Sequence, residues 1–318
     1  MTAVQRAPES DALGADQPAP EVSRAPVKPT ENIPLGILYM LLATVAFAVM
    51  HALSKWLIAN YPIGQVMFSR SIVGLLVCSA FLLPRRGFEV FATRKANAHL
   101  MRGASQSISQ TFSVLAFALM PLAGAIAVNF SAPLWAALVA IVWLNERAGF
   151  VRWAVLLIGF LGVAIVANPG ADSLTLGAVF ALLNAIMLGS VTAAVRGMSG
   201  TESTETLLMW QLATVSAFHS LLLLWGVKWA PPGDFALFFC CGLANLAGQY
   251  FWTKALTLAP TTAVSPFFYF MLVWATGIAF VVWGEVPTLH LLVGSSIVVA
   301  AGLYLLWHEA KRKAAAAA

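Results

Sequence analysis

The chain has 318 residues, of which 60% are hydrophobic and 10% are charged, and its formal net charge is +5. A soluble globular domain typically carries about 25% charged residues, so this composition excludes that class and predicts an integral membrane protein. The basic residues lie in short loops and tails between apolar stretches. This placement argues against nucleic-acid binding as the reason for the positive charge.

The first 32 residues contain five prolines among alanine and polar residues, and no apolar run follows Met1. We therefore expect no cleavable signal and predict a disordered cytoplasmic tail over residues 1–32. Residues 309–318 are interpreted as a basic cytoplasmic tail. The cysteines lie inside apolar stretches, and two of them are adjacent. This pattern predicts neither a disulfide nor a metal site.

Apolar stretches dominate the chain between these tails, each long enough to cross about 30 Å of hydrocarbon as a helix. We predict an all-α integral membrane protein with ten transmembrane helices. The stretches lie near 34–56, 63–83, 98–119, 122–144, 150–168, 174–196, 206–227, 235–256, 261–283 and 288–308.

The lysines and arginines predict the orientation, because these residues are enriched on the cytoplasmic side of a membrane. With both termini in the cytoplasm, Lys55 and Lys228 face outside, while Arg70 and Arg102 lie within helices 2 and 3. We expect a multi-pass protein of the cell (inner) membrane. The remaining basic residues would all be cytoplasmic: Arg6, Arg24, Lys28, Arg85, Arg86, Arg94, Lys95, Arg147, Arg152, Arg196, Lys254, Lys311, Arg312 and Lys313.

The sequence contains an internal duplication. Between Leu119 and Glu146, seven residues have identical partners 139 residues later: Leu119, Pro121, Trp135, Ala136, Ala140, Val142 and Glu146 match Leu258, Pro260, Trp274, Ala275, Ala279, Val281 and Glu285. Each copy holds five predicted crossings, an odd number, so the second copy would be inverted in the membrane. Inverted repeats are a common construction of secondary transporters. We assign the first repeat to residues 33–168 and the second to 174–308. Further aligned pairs are Gly103 and Gly242, Gln106 and Asn245, Gln110 and Gln249, Leu35 and Leu176, Gly36 and Gly177, and Lys55 and Arg196.

The chain resembles the EamA-type permeases of the drug/metabolite transporter superfamily. The resemblance implies ten helices, both termini in the cytoplasm and a central cavity shared by the two halves. Similar members move amino acids, vitamins such as riboflavin, S-adenosylmethionine or other small organic solutes. One departure is that Val298 and Ala301 stand opposite Gly159 and Gly162. The motifs that carry the resemblance are Ala116–Ala123, Ser131–Leu134, Leu144–Arg147, Gly159–Val163, Lys254–Pro260, Trp283–Glu285 and Gly302.

Helices 3 and 8 carry matching polar faces. Gln106 and Gln110 lie one helical turn apart, and Asn245 and Gln249 repeat the pattern in the second half. Burying a polar group in hydrocarbon costs free energy, so each such group is expected to have a hydrogen-bond partner or a functional role. An amide both donates and accepts hydrogen bonds, which suits a midplane substrate site. The alternative is that these amides join the helices to one another.

Three further side chains are candidate substrate contacts. Arg70 lies eight residues beyond Pro62, on the order of 12 Å into helix 2. It could bind an anionic group bidentately or hold helix 2 in place. Its counterpart in the second half is the neutral Gln211. Trp252 and Tyr269 carry aromatic rings with polar tips and could line the cavity or pack in the core.

Glu146 and Glu285 align in the duplication, and each ends a helix just before the next begins. We expect each to cap the following helix, with a gate as the alternative. The acids all map to tails, loops or helix ends, so His51 and His219 are the candidate proton carriers within the membrane, with packing as the alternative.

The sequence contains no Gly-x-x-x-x-Gly-Lys motif for ATP phosphates. We therefore predict a secondary transporter of a small organic metabolite that works by alternating access. It would not be an enzyme and would need no cofactor or metal. Its partners would be a small-molecule solute and the lipid bilayer, with a homodimer left open. The alternatives are a polytopic membrane enzyme and a channel, but neither an acid and histidine cluster nor a filter segment is apparent.

Overall fold

A computed structural model describes residues 32–132, 134–135, 138, 150–167, 176–199, 202–259 and 261–317. These residues form helices joined by short loops and contain no strand, which confirms the predicted all-α class. The tail over 1–31, Pro133 and Glu146 lie outside the described residues.

The first half of the described chain follows the predicted stretches closely. Asn32 begins the first helix, since its side-chain oxygen accepts a hydrogen bond from Leu35 N at 3.1 Å and satisfies one free amide. A short 3₁₀ segment, Gly87–Phe91, follows the second helix. The helices are α1 (Ile33–Ile58), α2 (Ile63–Arg86), α3 (Ala96–Leu119), α4 (Leu122–Asn129) and α5 (Phe150–Ala167).

The second half begins with the same order of elements, two α-helices, a 3₁₀ segment and a third α-helix. Ser203 caps its second helix, because its hydroxyl accepts a hydrogen bond from Thr206 N at 3.1 Å. A 3₁₀ segment, Leu222–Trp225, follows that helix, as in the first half. The helices are α6 (Leu176–Ser199), α7 (Thr204–Leu221), α8 (Pro232–Leu258), α9 (Thr261–Phe268), α10 (Phe270–Trp283) and α11 (Leu289–Ala317).

Two details differ from the predicted boundaries. The stretch predicted as one helix over 261–283 is divided into α9 and α10 at Tyr269, three residues after Pro266, which cannot donate a backbone hydrogen bond. The last helix continues to Ala317 instead of ending at 308. The added residues are mostly alanine, lysine and arginine, which are strong helix formers.

Helices from the two halves pack along each other. The most extensive contacts join α1 to α8 and α3 to α6. Asn32 N donates to Leu258 O at 3.0 Å, so α1 begins where α8 ends. A Cβ placed on Gly36 would lie 2.7 Å from Ala259 Cβ. One placed on Gly177, at the start of α6, would lie 3.1 Å from Leu119 Cβ. Small residues thus allow both helix pairs to approach closely.

The breaks in the fourth apolar stretch of each half come together. α4 ends at Asn129, and Phe130 follows it in a turn. Tyr269 occupies the turn between α9 and α10. The two rings, which align at the 139-residue offset, meet edge to face with centroids 5.0 Å apart. Their contact joins the halves near the middle of the bundle.

Four of the described helices are long and apolar enough to cross a membrane: Ile33–Ile58, Ile63–Phe91, Thr204–Trp225 and Pro232–Leu258. Four shorter apolar helices accompany them. Many large hydrophobic side chains on their outer faces are exposed, including Leu76, Phe81 and Val281. A surface of this kind is suited to lipid, and the protein is a membrane protein.

Hydrogen bonds connect the loop between α1 and α2 to the segment that leads into α8. Lys228 Nζ donates to Asn60 O at 3.1 Å. The Tyr61 hydroxyl donates to the Asp234 carboxylate, and this bond raises the pKa of the Tyr61 phenol to about 12. These contacts fix the relative positions of α1, α2 and α8 at this end of the bundle.

Candidate functional site

Arg70 lies in the interior of the bundle and reaches two other helices. Its side chain is 2% exposed. The guanidinium donates through Nη2 to Gln110 Oε1 on α3 at 2.7 Å. Through Nη1 it donates to Met50 Sδ at 3.0 Å and Ser54 Oγ at 3.4 Å, both on α1. All three acceptors are neutral, so α2 brings a cation into a polar but uncharged environment.

A second polar pair occupies the aligned position in the other half. Gln211 Nε2 on α7 donates to Gln249 Oε1 on α8 at 2.9 Å, and both side chains are buried. Gln211 aligns with Arg70, and Gln249 aligns with Gln110. Gln211 was not among the predicted site residues. Its position in the duplication, opposite Arg70, is the signal that identifies it as part of the site.

The two halves meet closely beside these pairs. Asn245 Nδ2 on α8 approaches Arg70 O at 3.5 Å. A Cβ on Gly242 would lie 2.5 Å from Val73 Cβ, and one on Gly103 would lie 2.5 Å from Thr214 Cβ. Such distances leave no room for a side chain at either glycine. The side chain of Val73 on α2 therefore packs directly on the backbone of α8 at Gly242, and that of Thr214 on α7 packs on the backbone of α3 at Gly103.

Other predicted residues surround this centre. Gln106 is buried on α3, one turn before Gln110. Cys241 Sγ lies 3.5 Å from Ser54 Oγ, which is itself an acceptor for Arg70. Ser54, Cys241 and Met50 were not predicted as site residues, because all three lie in apolar stretches with no polar periodicity.

The two histidines also lie inside the bundle. The His51 ring meets Phe117 with centroids 4.8 Å apart. His219 is 1% exposed, and its Nδ1 lies 3.4 Å from the hydroxyl of Ser71, the residue after Arg70. Within the described residues, His51 Nδ1 and His219 Nε2 have no hydrogen-bond partner. Both of these nitrogens are buried in the bundle, so neither can reach water or a solute in this conformation.

The predicted aromatic residues lie in the main hydrophobic core. Trp252 is 9% exposed and belongs to that core. Tyr269 packs on Phe130, and a Cβ on Gly302 would lie 1.9 Å from its hydroxyl oxygen. That hydroxyl has no hydrogen-bond partner among the residues that the structure describes. The contacts of Tyr269 are thus to Phe130 and Gly302, whereas Arg70 contacts α1, α3 and α8.

Glu285 pairs with a residue of the first helix. Lys55 Nζ lies 2.5 Å from Glu285 Oε1 and 5.0 Å from the centre of the Trp283 ring. Glu285 was expected to cap the following helix, α11. The side chain that caps α11 is Thr288, whose hydroxyl accepts a hydrogen bond from Leu291 N at 3.3 Å. The ion pair therefore connects the end of α1 to the end of α10, across the two halves.

A cavity of about 400 Å³ opens beside this ion pair. Its wall includes Lys55 and Trp56 of α1, Phe117 of α3 and Trp283 of α10. Centroids of the two tryptophan rings lie 6.4 Å apart. A space of this size, with aromatic walls and one cation, matches the dimensions of a small-molecule site.

Comparison with known proteins gives a consistent result. The family model described as "EamA-like transporter family" matches residues 34–168 and 175–307. A riboflavin transporter of Rhizobium johnstonii is 28% identical over 90% of this chain and 95% of its own length. The pseudopaline exporter CntI of Pseudomonas aeruginosa is 28% identical over 85% of this chain and 95% of its own. An S-adenosylmethionine uptake transporter of Rickettsia conorii is 27% identical over 87% and 94%, respectively.

A solved protein crystal structure has a similar fold. Its TM-score with this chain is 0.60, and the match covers 86% of this chain and 95% of the other. Sequence identity between the two is 19%, so the likeness shows the fold alone.

Proposed function

Because the chain belongs to the EamA-like transporter family, we propose that it moves a small organic metabolite by alternating access between two inverted halves. The named relatives act on riboflavin, pseudopaline and S-adenosylmethionine, so the protein is a small-molecule transporter rather than an enzyme. The solute is proposed to belong to the same broad range of polar metabolites with planar or carboxylate-bearing parts.

Equivalent helix contacts support the inverted arrangement. α1 packs on α8, and its counterpart α6 packs on α3. Gly177 at the start of α6 lies against Leu119 at the end of α3. The second half therefore starts at the end of the bundle where α1 and α3 finish. Two such halves of similar energy could exchange conformations and expose a shared site to each side in turn.

The proposed topology has ten spans, with repeats over 33–168 and 174–308. The excess of lysine and arginine in the loops between α2 and α3 and at both termini supports a cytoplasmic location of both tails. In that orientation, Lys55 and Glu285 lie at the outer face of the inner membrane. The cavity beside them would then open outward.

The polar pairs at aligned positions carry the proposal for the central site. Arg70, Gln211 and Gln249 are buried and Gln110 is half-buried, and the two pairs come from four different helices around the contact between the halves. An amide both donates and accepts hydrogen bonds, so we propose that a polar solute replaces one partner in each pair. His51 and His219 remain the proposed proton carriers, since each has one unpartnered ring nitrogen within the described chain.

Alanine substitution of the two glutamines tests this site. Gln110→Ala and Gln249→Ala are each expected to reduce kcat/KM about tenfold, the effect of leaving a buried polar partner unsatisfied. The measurement is counterflow of radiolabelled riboflavin, S-adenosylmethionine and amino acids in proteoliposomes with matched protein content.

Asn97→Ala is the control, because Asn97 is an exposed amide on the same helix as Gln110. It should leave transport unchanged. If both glutamine variants transport normally, these side chains only join helices. If the wild-type protein shows no saturable counterflow of any solute in the panel, the proposed substrate range is wrong.

A further inference from the structure

Arg70 carries a positive charge that no carboxylate neutralises among the described residues. The ion pairs there are Lys55 with Glu285 and a 4.0 Å contact between His99 and Glu202. Arg70 Nε also has no hydrogen-bond partner in that part of the chain. A buried ion without a counterion costs several kcal/mol even after relaxation. A guanidinium kept in this position is therefore suited to receive an anion from outside the protein.

The neighbours of Arg70 connect it to the cavity beside Lys55. Gln110 and Phe117 lie on one face of α3, seven residues apart, and Phe117 forms part of the cavity wall. Seven residues of helix rise by about 10 Å. Ser54 and Ile58 likewise follow one face of α1 from Arg70 to the cavity. The cavity thus lies about two helical turns from the guanidinium, with Phe117 between them.

The cavity itself favours a planar solute. Lys55 lies in its wall next to the rings of Trp56 and Trp283, but its charge is already paired with Glu285. A guanidinium forms two parallel hydrogen bonds with a carboxylate or phosphate, whereas an ammonium acts as a point charge. An anionic group in the cavity would therefore meet an unpaired cation with matching geometry only on reaching Arg70.

We propose that the transported solute carries a carboxylate or phosphate group and that Arg70 binds this anion, which enters through the cavity beside Lys55. This inference rests on the proposed function, because it identifies the chemical class of solute for the same central site. The neutral Gln211 at the aligned position means that the second half would bind the uncharged part of the solute.

Simple anions test the site without knowledge of the solute. The full-length protein in detergent is titrated with benzoate, benzamide or inorganic phosphate at constant ionic strength, and thermal unfolding is followed. Stabilisation by benzoate or phosphate, with none by benzamide, is expected. A response to benzoate alone identifies a carboxylate, and a response to phosphate alone identifies a phosphate.

Variants locate the binding. Arg70→Gln should abolish the stabilisation by anions. Arg70→Lys should raise the apparent Kd for the anion about tenfold, because lysine cannot form two parallel hydrogen bonds with it. Arg102→Gln is the matched control, because Arg102 is also a buried guanidinium without a carboxylate among the described residues, with Nε and Nη1 unpartnered there. It donates to Leu207 O at 2.6 Å near the opposite end of α3 from the cavity, so its loss should leave the anion response unchanged. If Arg70→Gln does not fold, the comparison of Arg70→Lys with Arg102→Lys decides.

The proposal is overturned if neither anion stabilises the wild-type protein, or if the Arg70 variants respond as the wild type does. If the protein catalyses counterflow of a neutral solute but binds neither anion, the transporter assignment holds and the anion site is wrong. Anion binding without counterflow would leave the site intact and place the failure in the proposed function.

Discussion

Replacing Gly64 by alanine is expected to lower the midpoint of thermal unfolding by about 5 °C, as follows from an overpacking cost of about 1–3 kcal/mol. A Cβ at Gly64 would lie 2.3 Å from Leu222 O and 2.7 Å from Leu222 C. These are backbone atoms of the segment after α7, so they cannot move aside as a flexible side chain would. The start of α2 would have to separate from the end of α7.

Gly277→Ala is the control for this substitution. Gly277 lies within α10, and a Cβ there meets no atom within 4 Å. Alanine is also a better helix former than glycine by about 1 kcal/mol, so the midpoint should stay the same or rise. Thermal unfolding of both purified variants in detergent, followed by circular dichroism, makes the comparison. Equal midpoints for the two variants would show that Leu222 is not packed against Gly64.

Lys55→Glu is expected to reduce transport at least about tenfold, because two carboxylates would replace an ion pair between partly buried side chains. In the wild type, Lys55 Nζ and Glu285 Oε1 are 2.5 Å apart, and the side chains are 15% and 26% exposed. Glu285→Lys should have a similar effect, because two cations would then face each other. The double variant Lys55→Glu with Glu285→Lys restores opposite charges and should recover most of the transport.

This double-mutant cycle separates the pair from its surroundings, since recovery in the double variant measures the coupling between the two residues. Counterflow is compared at equal amounts of reconstituted protein. Strictly additive losses would contradict a role for the ion pair in holding α1 to α10 during the transport cycle. The recovery should be incomplete, because Lys55 also lies over the Trp283 ring.

Much of the fold could be predicted from the sequence, and particular helices show why. The boundaries of α1, α2 and α3 lie within a few residues of the predicted stretches, since hydrophobic length is a local property. The division between α9 and α10 at Tyr269 was not predicted, although Pro266 lies three residues before it in the sequence. A proline in the sequence indicates that a helix is weakened, but it does not say where the turn will lie. In the structure, the turn lies at Tyr269, which packs against Phe130.

The candidate site was predictable in part. Gln110 and Gln249 stood out because the duplication repeats them on polar faces of α3 and α8. Their pairing with Arg70 and Gln211 was not predicted, because these residues are 40 and 38 positions away in the chain. The pairing of Lys55 with Glu285 spans 230 residues. Helical periodicity specifies which residues share a face of one helix, but it contains no information about the facing helix.

The sequence by itself determined that this is an all-helical membrane transporter with a duplicated pattern, because composition, apolar length and internal similarity can be counted along the chain. Only the tertiary structure decided that Arg70 has neutral partners among the described residues and that a cavity lies beyond Phe117. Both depend on how α1, α2, α3 and α8 pack. Burial then makes the Arg70 guanidinium, at the contact between the halves, a constraint on the solute, because an ion removed from water requires a partner.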